Sequence, residues 1–286
     1  MYKALNYWVF GGFDGSRTPF EFIDWAAKTK LDGVELTVGD CLKPDITESE
    51  CRAIAEYAKS QGVGLRTLAS VTGWSCALGA VDEVERRAAI AFTRRYLRIA
   101  AWLGAETVLV VPGATRIPWE PGRPVLGYRQ VWEATTASVR ELAPFAEELC
   151  VNLALENVWN RFLLSPMEWR CFLDQFASER VGMYFDTGNA CIYARPQDYP
   201  EILGGRIKAV HLKTFTETEG GMHGFFGDDL TAGSVDFPAV FQAMDNIGYS
   251  GPYTVEMIPN CPGASVPDVE LAQRTAQALR QLATGQ

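Results

Sequence analysis

Val181-Gly182-Met183-Tyr184-Phe185-Asp186-Thr187-Gly188-Asn189 reads as a nearly continuous apolar run that ends on a carboxylate. A strand apolar on both faces belongs to a parallel sheet that is covered on both sides. The same form recurs in both directions along the chain. Upstream, Val151-Asn152-Leu153-Ala154-Leu155 runs into Glu156-Asn157. Downstream, Ile207-Lys208-Ala209-Val210 runs into His211-Leu212-Lys213, and Tyr253-Thr254-Val255 runs into Glu256. Candidate strands at Ala4–Val9, Gly33–Val38, Val63–Leu68 and Thr107–Val111 bring the number to eight.

Amphipathic stretches separate these runs. Thr47 with Glu50 forms a capping-box pattern ahead of a helix ending near Gln61-Gly62. Asp82 starts a long helix that Gly104 ends, with Ala89, Phe92, Tyr96, Ile99 and Leu103 recurring at helical spacing. Ser165-Pro166 opens another, with Pro suited to the first helical position, and Asp236–Ile247 and Ser265–Leu282 close the series. Eight βα units in strict alternation predict an α/β fold, a (β/α)8 TIM barrel rather than a doubly wound sheet. A length of 286 residues fits one such domain over 1–286. Two long connections, Pro112–Pro124 and Phe215–Ser234, interrupt the rhythm and are expected to be functional loops.

Composition excludes several classes. With 48% hydrophobic and 21% charged residues, the chain has ample apolar material to offset chain entropy, which excludes dominant disorder. A formal charge of −9 argues against nucleic acid or an anionic membrane surface as a partner, since both need a basic field. No apolar run is long enough to span a bilayer, and the N-terminal stretch does not read as a signal peptide. Seven scattered Cys without a C-x-x-C suit reduced thiols, so the expected location is cytoplasmic.

In barrels of this kind the active site forms at the carboxyl ends of the strands. There four consecutive strands deliver Glu156, Asp186, His211 and Glu256. Each alone could be an ordinary polar residue where a strand meets its loop. Together, three converging carboxylates repel one another unless a cation neutralises them. With one imidazole added, the set suits a divalent ion: Mn²⁺ or Mg²⁺ first, Co²⁺ or Zn²⁺ next. His211 is one of only two His; the other, His223, lies in the long loop after strand seven, as a surface residue or as a lid residue touching substrate.

The series Leu155-Glu156-Asn157, Phe185-Asp186-Thr187-Gly188-Asn189, Val210-His211-Leu212-Lys213 and Val255-Glu256-Met257 resembles the sugar-phosphate isomerase/epimerase family of xylose-isomerase-like barrels. Leu31-Asp32-Gly33-Val34-Glu35-Leu36, Gly233-Ser234-Val235-Asp236-Phe237 and Gly248-Tyr249-Ser250-Gly251 extend the likeness over most of the chain. The resemblance implies one divalent metal, most often manganese, held by Glu156, Asp186, His211 and Glu256. It further implies that Glu156 and Glu256 act as the acid/base pair on opposite faces of a ketose or ketose phosphate. The implied reaction is 3-epimerisation through a metal-stabilised enediolate. Asn189, Lys213, Arg161, Trp8 and His223 are the expected substrate contacts, with Lys213 and Arg161 as phosphate donors. Trp8, Trp74, Trp119 and Trp159 fall where rings would wall a sugar pocket. Glu35 receives no role.

The Asp-Thr-Gly-Asn run and Lys213 look more like the pentulose-phosphate 3-epimerases of that family. Asn189 and Glu217 replace a His and an Arg usual in its free-ketose epimerases, and Thr214 replaces an Asp common in its phosphate branch. Two alternatives stay open: a keto-sugar or inosose dehydratase or lyase on the same scaffold, and a non-catalytic sugar-binding barrel. The implied partner is a small sugar or sugar phosphate, and a homodimer or homotetramer is usual in the family.

Overall fold

The computed structural model describes residues 1–75, 77–218, 223–257 and 269–284. The strands in chain order are β1 (Tyr2–Asn6), β2 (Gly33–Val38), β3 (Thr67–Ser70), β4 (Thr107–Val110), β5 (Asn152–Glu156), β6 (Val181–Asp186) and β7 (Ile207–Leu212). A short antiparallel pair, β8 (Thr216–Glu217) with β9 (Gly224–Phe225), precedes β10 (Pro252–Val255). β1 to β7 and β10 form a closed parallel barrel, with β10 pairing both β7 and β1 to complete the ring. β2 and β6 are buried along their whole length, as expected for strands packed between the barrel interior and the helices.

The helices follow from their end signals. Thr47 and Glu50 form the expected reciprocal capping box, and Thr18 with Glu21 forms a second one. Asp82 accepts from the Glu85 backbone N–H, and Gly104 ends the same helix with φ +75°. Caps of this kind each contribute about 1 kcal/mol. Ala89, Tyr96, Ile99 and Leu103 of that helix are buried, and Ile90, Thr93 and Leu97 widen the stripe. Among the described residues no helix is long and apolar enough to cross a membrane.

Two strands differ from their sequence reading by more than one residue at a boundary. The first ends at Asn6 instead of Val9, because the Asn6 side chain accepts from the Trp8 backbone N–H at 2.7 Å and caps a short helix, Tyr7–Gly11. The third starts at Thr67, not Val63, because Val63 N–H still donates to Ala58 O and closes the preceding helix. The last helix is described from Val269; the expected start at Ser265 lies outside the described residues.

Register brings the strand ends together. Asp186 pairs with His211 between β6 and β7, and Thr254 pairs with His211 between β10 and β7. A register shift between Met183 and Tyr184 precedes the first of these pairs. Asp186 and His211 therefore stand at one level of the barrel, with Glu256 directly after β10.

Candidate active site

Asp186 is fixed on every side but one. Its Oδ1 caps the Thr187–Cys191 helix by accepting from the Asn189 backbone N–H at 2.7 Å. The Asn157 side chain accepts from Asp186 N–H at 2.8 Å and donates to Asp186 C=O at 2.9 Å. Asn189 Nδ2 donates to Asn157 C=O at 2.8 Å, so the polar residues after β5 and β6 brace one another. Gly188 permits close approach: a Cβ there would stand 2.9 Å from Lys213 Cγ and 3.0 Å from Lys213 O. The helix after β6 consequently lies against the end of β7, and Thr187 Oγ1 donates to Lys213 C=O at 2.9 Å.

His211 stands at the centre of the cluster, fully buried. Its Nε2 lies 2.7 Å from Glu35 Oε1, while Nδ1 lies 3.2 Å from Glu156 Oε1 and 3.6 Å from Glu256 Oε1. Glu35 also accepts from Asn6 Nδ2 at 2.7 Å and from the Tyr184 hydroxyl. The geometry suits two protonation states. A charged ring donates from both nitrogens; a neutral ring that keeps its proton on Nε2 turns the Nδ1 lone pair toward the two glutamates. A carboxylate on the far nitrogen is the arrangement that orients metal-binding histidines.

Burial would lower the His211 pKa, but the charges of Glu35 and Glu256 and the hydrogen bond that the ring donates to Glu156 outweigh it and hold the imidazole well above its usual value. Burial would raise Glu35; the His211 charge and hydrogen bonds from His211, Thr67 and Tyr184 hold it below the usual carboxylate range instead. Burial pushes Glu156 up to about 7, opposed by the His211 hydrogen bond and reinforced by the Glu256 charge. Asp186 is likewise raised by burial, against the pull of Lys213. Burial would lower Lys213, yet Asp186, Glu256 and Glu156 keep its ammonium charged.

These groups fit a divalent cation. One donor atom from each of Glu156, Asp186, His211 and Glu256 lies within 4.8 Å of the others. Ligands at about 2–2.5 Å from one ion stand at most about 4–5 Å apart, so the four can share one. Asp186 Oδ2 and Glu256 Oε2 are buried and accept no well-directed hydrogen bond. Both meet the Lys213 ammonium by charge, Asp186 at 2.9 Å. With Glu35 included, four buried carboxylates face two buried basic groups, so two negative charges are left over when all are ionised. Three oxygen donors and one imidazole are a hard-to-borderline set.

Above the cluster opens a cavity of about 570 Å³. Glu156, Glu256 and Lys213 contribute to its lining, and Trp8, Phe13, Trp74, Trp119 and Trp159 wall it. Of the residues expected from sequence to contact substrate, Trp8, Asn189 and Lys213 line this space. Lys213 is fully buried in ion pairs, not solvated as a free phosphate donor would be. Two others stand elsewhere. Arg161 is exposed at a positive-φ position (φ 56°), its carbonyl accepting from Thr115 Oγ1, and does not line the cavity. His223 is exposed beside the β8–β9 pair, where its carbonyl accepts from Thr218 N–H, and it too is absent from the lining. Sequence reasoning missed Glu35 and Asn157. The available signals were a lone carboxylate inside an otherwise uncharged strand and an amide directly after Glu156.

The fold and the cluster together define a (β/α)8 barrel whose carboxyl-end centre is able to hold a divalent metal. The chain belongs to the xylose isomerase-like TIM barrel family, whose model matches residues 23–282. SgbU of Escherichia coli K12, provisionally named an L-ribulose-5-phosphate 3-epimerase, is 26% identical over 232 residues, covering 77% of this chain and 75% of that protein. The crystal structure of a D-psicose 3-epimerase in the presence of D-fructose superposes with a TM-score of 0.79 at 20% identity, covering 100% of this chain and 98% of that one. The IOLI protein with a bound zinc atom gives a TM-score of 0.76 at 17% identity, covering 100% and 97%. At such identities the two structural matches speak for the fold.

Proposed function

We propose that the protein is a divalent-metal-dependent ketose 3-epimerase, moving a proton at the carbon beside a sugar carbonyl. The observation that carries this reading is the pair Glu156 and Glu256: both flank His211 Nδ1, at 3.2 and 3.6 Å, and both face the cavity. Glu156, Asp186, His211 and Glu256 would hold the ion, with Mn²⁺ favoured by the donor set. The bound cation would polarise the carbonyl and acidify the neighbouring C–H. One glutamate then takes that proton while the C–H electron pair moves toward the carbonyl oxygen. The other returns a proton to the same carbon from the opposite face, which inverts it. Lys213 keeps Asp186 and Glu256 in place by charge, and Glu35 keeps His211 oriented. Trp8, Asn189 and Lys213 stand on the substrate side of the cluster. The provisional activity of SgbU is of the same class.

The test uses protein loaded with Mn²⁺ in D₂O and a panel of keto-sugars with and without phosphate, followed by proton NMR. The expected result is deuterium at the carbon beside the carbonyl together with its epimer, lost on chelation and restored by Mn²⁺. Net loss of water from the sugar would instead assign a dehydratase, and no exchange in any sugar would overturn the reading.

A further inference from the structure

Resting on the epimerase reading, we propose that the outer part of the cavity is a ring-binding subsite, and that the substrate is an uncharged keto-sugar carrying a second ring through a glycosidic oxygen. A cavity of about 570 Å³ lies within the range that encloses drug-sized ligands, about 300–1,000 Å³. A lone six-carbon sugar bound at Glu156 and Glu256 fills only part of it.

The remaining space has aromatic walls that lead outward. Phe226 stacks on Trp159 at 4.4 Å, Trp159 meets Trp119 edge-on at 6.3 Å, and Trp119 meets Trp74 edge-on at 4.5 Å. On the opposite strand ends, Trp8 packs with Phe13 at 5.2 Å. The track begins beside Lys213, whose ammonium lies 5.9 Å from the Trp159 ring, and ends at Trp119, which is 50% exposed. An indole half exposed at the mouth of the cavity offers apolar area that a bound ring would cover.

Two of these rings are held so that they offer surface, not hydrogen bonds. Trp8 Nε1 donates to Asp40 Oδ2 at 2.8 Å, and Trp159 Nε1 donates to Asn189 Oδ1 at 2.6 Å. The Asn189 amide is spent on Trp159 and Asn157, so it acts as a positioning residue for the indole. Rings fixed in advance lose little entropy when a second flat ring packs on them.

Charge points the same way. Among the described residues the one basic side chain lining the cavity is Lys213, already committed to Asp186 and Glu256. The residues outside the described set contain no Lys or Arg. A phosphate dianion here would face Glu156 and Glu256 without a cation of its own, against the usual pairing of phosphate with Arg or Lys.

The experiment compares deuterium uptake at C3 by the Mn²⁺-loaded protein into fructose, fructose 6-phosphate and two fructoses that keep the C2 carbonyl free and carry at O6 a methyl group or, as the second ring, a phenyl group. The expected kcat/KM for the O6-phenyl fructose exceeds that for the O6-methyl fructose by about tenfold or more, with fructose 6-phosphate no better than fructose. Trp119→Ala should collapse the phenyl-to-methyl ratio toward one, and Trp119→Phe should restore it. Equal rates for the O6-phenyl and O6-methyl fructoses, a ratio insensitive to Trp119→Ala, or a tenfold preference for the phosphate would overturn the proposal. A separate titration by tryptophan fluorescence uses phenyl and methyl glucoside, which carry no carbonyl. If no sugar exchanges deuterium, the epimerase reading fails and this titration still decides the subsite: about tenfold tighter phenyl binding sustains it, equal binding overturns it.

Discussion

Glu35 Oε1 and His211 Nε2 meet at 2.7 Å in the barrel interior, both side chains fully buried and 176 residues apart in sequence. The contact fixes which imidazole nitrogen faces Glu156 and Glu256. Glu35→Gln keeps a hydrogen-bonding group there but removes the charge that makes the ring a stronger donor to a cation. Loss of such a partner typically costs about 10–100-fold in metal affinity. Calorimetric titration with Mn²⁺ is expected to show a loss of that size, and an unchanged affinity would remove Glu35 from the centre.

A proton and a divalent cation would compete for the same atoms. The Glu156 carboxyl, raised to about 7, keeps in the folded protein a proton that the unfolded chain releases near pH 4.5. Stability contributed in this way falls as pH rises through that window. His211, raised above its usual value, acts with the same sign: its contribution is complete below about pH 6.5 and is lost as pH climbs through the folded value. The metal-free protein should therefore weaken from pH 5.5 to 8. A divalent ion must displace these protons, so the rise in Tm on adding Mn²⁺ should grow over the same interval. Differential scanning fluorimetry with and without Mn²⁺ measures both, and a metal increment independent of pH would contradict the assignment.

Gly188 is needed for space. An added Cβ would press on Lys213 Cγ at 2.9 Å and on the Lys213 carbonyl oxygen at 3.0 Å, and backbone cannot swing aside as a side-chain end can. Overpacking of this kind costs about 1–3 kcal/mol. Gly188→Ala should lower the urea midpoint accordingly and also weaken Mn²⁺ binding, because Lys213 contacts Asp186 and Glu256. Gly205→Ala serves as the control, since a Cβ there meets nothing within 4 Å. Equal stability of the two variants would show that the helix after β6 can retreat.

The barrel was legible because its strands are apolar on both faces and because polar residues mark where each one stops. Glu156, Asp186, His211 and Glu256 could be read from that rule alone. The first strand was overrun because Tyr7, Trp8, Val9 and Phe10 are all buried, and a helix buried all round has no period to separate it from a strand. Glu35 escaped because its partner lies across the barrel, and its meaning comes from His211 and not from its neighbours. Lys213 looked like a solvated donor for the same reason: its ion pairs with Asp186 and Glu256 exist only once β6, β7 and β10 are side by side. The departures of His223 and Arg161 from the cavity are likewise loop geometry, which periodicity does not encode.

A two-base mechanism, with Glu156 and Glu256 on opposite faces of the substrate, makes a prediction that a single base does not. Glu256→Gln removes one negative charge from a crowded buried cluster and leaves Lys213 paired with Asp186, so the barrel should stay folded. Net epimerisation should fall by about 10²–10⁴, the usual worth of a positioned acid or base. Glu156, still present, should continue to exchange the proton on its own face, so that in D₂O one epimer takes up deuterium and its mirror partner at that carbon does not. Glu156→Gln should reverse the preference. Because either change also alters the metal site, each is measured at Mn²⁺ concentrations that saturate it, established by titration. Washout that is equal for both epimers in both variants would mean that one group serves both faces, and the two-base assignment of Glu156 and Glu256 would have to be withdrawn.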